Sequence, residues 1–195
     1  MGELFVKEPL LRESCLFGAA GFGAFSAFWT TLAFYLAGEH YGYGSDVAGL
    51  FGWAGAAVAM AAPVAGRLAD VRGPRLTIGA ALAIMVLAYG VLGVLGHQLW
   101  GLIFGVILLD LGAQANQISN QARIYSLPAE AHNRLNTVYM VSFFAGGAAG
   151  SWLGAYSWSR WGWSGVCTVG TCLLLVGLVR YVLPVRAPVR SGGEA

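Results

Sequence analysis

The sequence predicts an all-α membrane protein of six transmembrane helices, arranged as a 3+3 inverted-repeat bundle. Three observations predict it. Hydrophobic residues are 57% of the chain and charged residues 10%, with mean hydropathy +0.66; a soluble domain carries about 25% charged residues. Six apolar runs each approach the ~20 residues that a helix needs to cross ~30 Å of hydrocarbon. Of eleven Lys and Arg, only Arg160 falls outside the alternate loops and ends that hold the other ten. That asymmetry orients the bundle with both termini in the cytoplasm.

The elements follow in order. Residues 1–14 form a polar cytoplasmic segment containing Lys7, Glu8, Arg12 and Glu13. The run after it is too long for the core of a cleavable signal peptide. Span one is Cys15–Ala37, followed by an outer loop, Gly38–Asp46. Spans two and three are Val47–Gly66 and Leu76–Leu95, joined by an Arg-rich loop on the cytoplasmic side. The turn Gly96–Gln98 leads into span four, Leu99–Ile118. Span five is Thr137–Trp158 and span six Gly165–Leu183, with a Trp-rich turn between them that suits an interfacial belt. Residues 15–183 are the bundle and 184–195 a cytoplasmic tail. Helices are required because lipid offers backbone groups no partner, and the short alternating segments of a barrel are lacking. Three spans on each side of Gly96–Gln98 would make the second triplet inverted relative to the first.

One carboxylate lies deep inside a span. Asp110 is near the middle of span four, where a charge costs at least ~2.5 kcal/mol and must face protein or a wet cavity. Gln114, Gln117 and Gln121 follow at i+4, i+7 and i+11, making one polar stripe that Asn116 and Asn120 widen. The stripe suits a cavity wall whose acid exchanges a proton or meets a solute; it also suits an acid that only bonds a neighbouring helix. On span one, Ser26 and Thr30 share a face and offer a second cavity wall, unless their hydroxyls cap their own helix. On span five, Gly146, Gly150 and Gly154 form a smooth strip for close helix packing or a sliding interface. The cysteines Cys15, Cys167 and Cys172 lack metal-site spacing and read as free thiols. No metal cluster, phosphate loop or nucleophile–base pair is visible, so neither a cofactor nor an enzyme is expected. No basic-aromatic patch points to nucleic acid.

The loop Gly66-Arg67-Leu68-Ala69-Asp70-Val71-Arg72-Gly73-Pro74-Arg75 resembles the loop signature of the major facilitator superfamily of transporters. The link from Arg123-Ile124-Tyr125 through Glu130 to Arg134, and Gly146-Gly147-x-x-Gly150-Ser151-x-x-Gly154, carry the resemblance further. Val71 and Ser151 stand where the family usually has Arg and Pro. The chain resembles the C-terminal six-helix half of such a transporter, nearest the bacterial drug/proton-antiporter type. The resemblance implies a cytoplasmic gating loop made by Gly66, Asp70, Arg72, Gly73 and Arg75. Its acid, Asp70, would latch onto a helix N-terminus. It also implies proton-coupled efflux of a small organic solute across the bacterial inner membrane. The partners are the lipid bilayer, the solute, and an N-terminal six-helix half or a second copy that completes the cavity. The rival expectation is a non-transporting fragment or regulatory half.

Overall fold

The computed structural model describes residues 8–44, 47, 49–52, 71, 73–127 and 131–183. Among them four helices are long and apolar enough to cross a membrane: α1 (Pro9–Ala37), α2 (Pro74–Leu95), α3 (Leu99–Tyr125) and α4 (His132–Val182). Most of the second expected span, and the loop residues Gly66, Asp70 and Arg72, lie outside the described residues.

α4 is two arms. Gly162 sits at φ 58°, ψ −145°, a conformation essentially reserved for glycine, and it turns the chain in one residue. The contacts of each arm with α1 show the reversal. Along 132–161, Tyr139 meets Gly18, Gly147 meets Phe22 and Gly154 meets Ala27, so this arm runs parallel to α1. Along 163–182, Trp163 stacks on Tyr35, Gly177 meets Ala20 and Tyr181 meets Phe17, so this arm runs antiparallel to it. α2 and α3 form a second hairpin, with Gly105 against Leu92 and Gly112 against Met85.

Both hairpins lean on α1. In lipid no hydrophobic force drives helices together, so close van der Waals fit and a few hydrogen bonds must do so. The expected glycine strip supplies that fit. Gly146, Gly150 and Gly154 lie against Ala19, Gly23 and Ala27, which share the same four-residue spacing. A Cβ on Gly154 would come 2.8 Å from the Ala27 Cα, and one on Gly150 would land on the Gly23 carbonyl. Gly150→Ala is therefore expected to push the helices apart at a cost of about 1–3 kcal/mol. Thermal unfolding in detergent should show a fall of roughly 5 °C. Gly90→Ala, where nothing lies within 4 Å, should leave the midpoint unchanged or raise it.

One end of the bundle is built of turns. There the last carbonyls of α2, left over by helix geometry, are taken up by side chains. Trp163 Nε1 donates to Leu92 O at 2.9 Å, and the hydroxyls of Tyr35 and Tyr41 donate to Gly96 O at 3.0 and 2.7 Å. The Trp-rich turn thus divides its roles: Trp161 is exposed, while Trp163 is buried, because its indole N–H has a backbone acceptor inside the bundle.

The opposite end is basic. Arg12, Arg75, Arg123, Arg134 and Arg180 gather there, and Arg160 alone of the described Arg residues sits at the turn end. Glu13 is buried at the basic end, 2.5 Å from the Arg123 guanidinium and 3.2 Å from that of Arg180. This cluster fastens α1 to α3 and to the last turn of α4. Arg75 lies over the Tyr181 ring, 5.7 Å from its centroid, and ties the start of α2 to the same corner.

Candidate functional site

The site grows from the meeting of α1 and α3. On α1, Phe22, Phe25 and Trp29 recur at i, i+3 and i+7 and so share one face. On α3 the matching face carries Asp110, Gln114 and Gln117. Together with Gly52, Ala113 and Phe143 these residues line a cavity of about 340 Å³. Phe22 and Phe143, both in its lining, stack with ring centroids 4.0 Å apart.

Asp110 is 4% exposed. Its Oδ1 accepts a hydrogen bond from Trp29 Nε1 at 3.3 Å. Its Oδ2 is buried and accepts none from any described residue. A buried carboxylate oxygen without a donor is costly, so the arrangement is ready for a proton or a cation. Asp110 is the one ionisable group among the described residues lining this cavity, and four of the other eight are aromatic.

The expected site residues divide. Asp110, Gln114 and Gln117 come together in the cavity; Gln121 lies further toward the basic end and does not line it. Asn116 and Asn120 do not line the cavity: Asn116 joins α3 to α1, and Asn120 bonds back within α3. Asn116 Nδ2 donates to Phe17 O at 3.0 Å, and Asn120 Nδ2 donates to Asn116 O at 2.8 Å. Ser26 and Thr30 lie on the α1–α4 seam, where Ser26 faces Gly147 and Thr30 donates to Ser151 at 2.9 Å. The α1 wall of the cavity is aromatic instead. Of the gating-loop residues, Gly73 precedes α2 at φ 86° and Arg75 sits beside Tyr181; the other three are not among the described residues. The aromatic wall and Glu13 were not singled out by the sequence. The i, i+3, i+7 spacing of Phe22, Phe25 and Trp29 was the available signal.

YgaY of Escherichia coli O157:H7, an uncharacterized transporter, is 40% identical over 177 residues, covering 90% of this chain and 45% of that protein. A protein named as a probable transporter in Streptomyces coelicolor A3(2) is 37% identical over 175 residues, 88% of this chain and 40% of its own. The chain thus spans less than half the length of these relatives. A solved bacterial homologue of the human drug peptide transporters PepT1 and PepT2 shares the fold, with TM-score 0.75 and 16% identity over 88% of this chain and 41% of that one. The sequence profile of the Major Facilitator Superfamily matches residues 3–195. The chain therefore belongs to the Major Facilitator Superfamily and is an integral membrane protein of that transporter family.

Proposed function

We propose that this chain forms one wall of a proton-coupled exporter for small, lipophilic organic cations. The observation that carries the reading is the buried Asp110 carboxylate, with one oxygen that accepts from no described residue, set among Phe22, Phe25, Trp29 and Phe143. Aromatic faces attract cations, and a single carboxylate in low dielectric selects a monovalent positive charge. Gln114 and Gln117 add neutral hydrogen-bonding groups that orient a solute without changing the charge balance.

The chemistry is exclusion. Asp110 Oδ2 holds a proton or faces the solute's cationic centre, and cannot do both. Solute arriving from the cytoplasm displaces the proton; a proton arriving from outside displaces the solute. Alternating access turns that competition into exchange, with two bundles rocking about the site. The second bundle is an N-terminal six-helix half or another copy of this chain. The length of the relatives favours the former. The six spans then form the 3+3 inverted repeat, with residues 47–66 completing it. The arginine-rich end faces the cytoplasm of a bacterial cell under the positive-inside rule, with both termini on that side of the inner membrane. The loop of Gly66, Asp70, Arg72, Gly73 and Arg75 gates that side, and the Gly146–Gly150–Gly154 strip keeps α4 moving with α1.

The test is proton release. Tetraphenylphosphonium added to the purified polypeptide in weakly buffered detergent should release protons in proportion to the cation bound. The two quantities are linked reciprocally, so acid should weaken cation binding by the same factor. Binding without proton release would overturn the exchange mechanism, and absence of binding would overturn the cation reading.

A further inference from the structure

We propose that His40 and His97 bind a zinc ion at the turn end of the bundle, between the segment that follows α1 and the turn that joins α2 to α3. The two residues are 57 positions apart in sequence, and the fold brings their ring centres to 5.3 Å. Both residues are exposed, so an ion reaches them from solvent. Neither lines the Asp110 cavity.

The bonds around the rings fix which nitrogen of each is available. His40 Nε2 lies 2.7 Å from the His97 carbonyl oxygen. A carbonyl only accepts, so Nε2 carries the proton and Nδ1 keeps the lone pair. Tyr35 gives its one proton to Gly96 O, at 3.0 Å. Its oxygen then accepts from His97 Nδ1, 3.3 Å away, which leaves the lone pair on His97 Nε2. Each imidazole has one N–H spent on a neighbouring oxygen and one basic nitrogen to offer. Metal-ligating histidines share this arrangement, because the second bond fixes the ring and raises the basicity of the ligating nitrogen. Packing adds to it: Tyr41 meets the His40 ring edge-on at 4.9 Å and itself donates to Gly96 O at 2.7 Å.

Ring spacing selects the ion. With a Zn–N bond of about 2.0–2.1 Å, a ring centre stands roughly 3.2 Å from the metal. At the tetrahedral angle two such centres are about 5.2 Å apart; at the right angle of square-planar or octahedral sites they are about 4.5 Å apart. The observed 5.3 Å fits the tetrahedral case. No third His, Cys, Asp or Glu among the described residues joins the pair, so water takes the other two positions and the ion exchanges with solvent. A bound ion adds a link between two segments that already meet at Gly96 O, and so holds the turn end together more firmly.

The experiment is a calorimetric zinc titration of the full polypeptide in detergent, purified without a histidine tag. The parent should bind zinc, and His40→Gln and His97→Gln should each weaken that binding at least about tenfold, the low end for disturbing a ligand's surroundings. Both side chains are exposed, so the metal-free variants should unfold at the parent midpoint. Cobalt in place of zinc should give the strong visible absorption of a four-coordinate ion in the parent and lose it in both variants. In the parent alone, zinc should protect His40 and His97 from diethyl pyrocarbonate, as read by mass spectrometry. Zinc binding that survives in both variants, or leaves both rings open to the reagent, would overturn the site. Weak six-coordinate cobalt absorption would overturn the tetrahedral geometry and the choice of zinc with it.

Discussion

Asp110→Asn is expected to weaken binding of tetraphenylphosphonium by roughly 10- to 100-fold, the range for losing one charged partner in a buried site. It should also remove the protons that the cation displaces. The substitution is mild in shape. An asparagine at this position keeps an oxygen for the Trp29 indole, which now donates to Oδ1 at 3.3 Å, so the α1–α3 junction should survive. The midpoint of thermal unfolding is the control and should change little. What disappears is the negative charge and the site for an exchangeable proton at Oδ2. Equilibrium binding at two pH values gives the decision. Parent affinity should fall on acidification, whereas the variant should be weak at both values. A variant that binds as tightly as the parent and stays pH-dependent would assign the coupling to another group.

The second large effect concerns stability. Glu13 is 1% exposed and holds two guanidinium groups, Arg123 through Oε2 and Arg180 through Oε1. Glu13→Gln leaves Arg123, itself only 7% exposed, without its counter-ion. Stranding one member of a buried pair costs about 3–5 kcal/mol. Arg180 is partly exposed and can reach outward, so most of the loss should fall on Arg123. The sharper experiment is the pair. Glu13→Leu combined with Arg123→Met removes both charges and should recover much of the lost stability, since apolar groups can replace a buried ion pair at little cost. If the double variant is as unstable as Glu13→Gln, the cluster acts through hydrogen-bond geometry rather than charge balance.

These two residues also mark where the sequence is readable and where it is not. The apolar runs locate α2 closely, because Pro74 and Gly96 punctuate it and no charge follows Arg75, which sits in its first turn. Span one is expected to start at Cys15, yet α1 starts at Pro9. Glu13 looks like a boundary in sequence; its partners, 110 and 167 positions away, are what allow it inside a helix. α3 likewise continues past Ile118 to Tyr125, because Asn116, Asn120 and Arg123 are buried against α1. The acid of the cavity is legible, since a lone carboxylate in a membrane span demands an explanation. The aromatic wall is less so: phenylalanines in an apolar run look alike whether they face lipid or a cavity. Only the crossing of α1 with α3 separates Phe22, Phe25 and Trp29 from the rest. The hairpin of α4 shows the same limit, because a single glycine between two tryptophans makes the reversal that a longer loop usually makes.

The depth of Asp110 has an electrical consequence. It stands about 16 Å along the roughly 40 Å of α3, close to the middle of the membrane. A monovalent ion that travels from either side to this carboxylate therefore crosses about half of the transmembrane voltage. One charge across the full field corresponds to ~2.3 kcal/mol per 100 mV. Half of that changes occupancy about sevenfold per 100 mV. Each half of the proposed exchange should thus respond to membrane potential. In the proposed exchange, one proton moving in for one monovalent cation moving out carries no net charge, so the complete cycle should run at a rate that its voltage-sensitive steps set and toward an equilibrium that voltage leaves untouched.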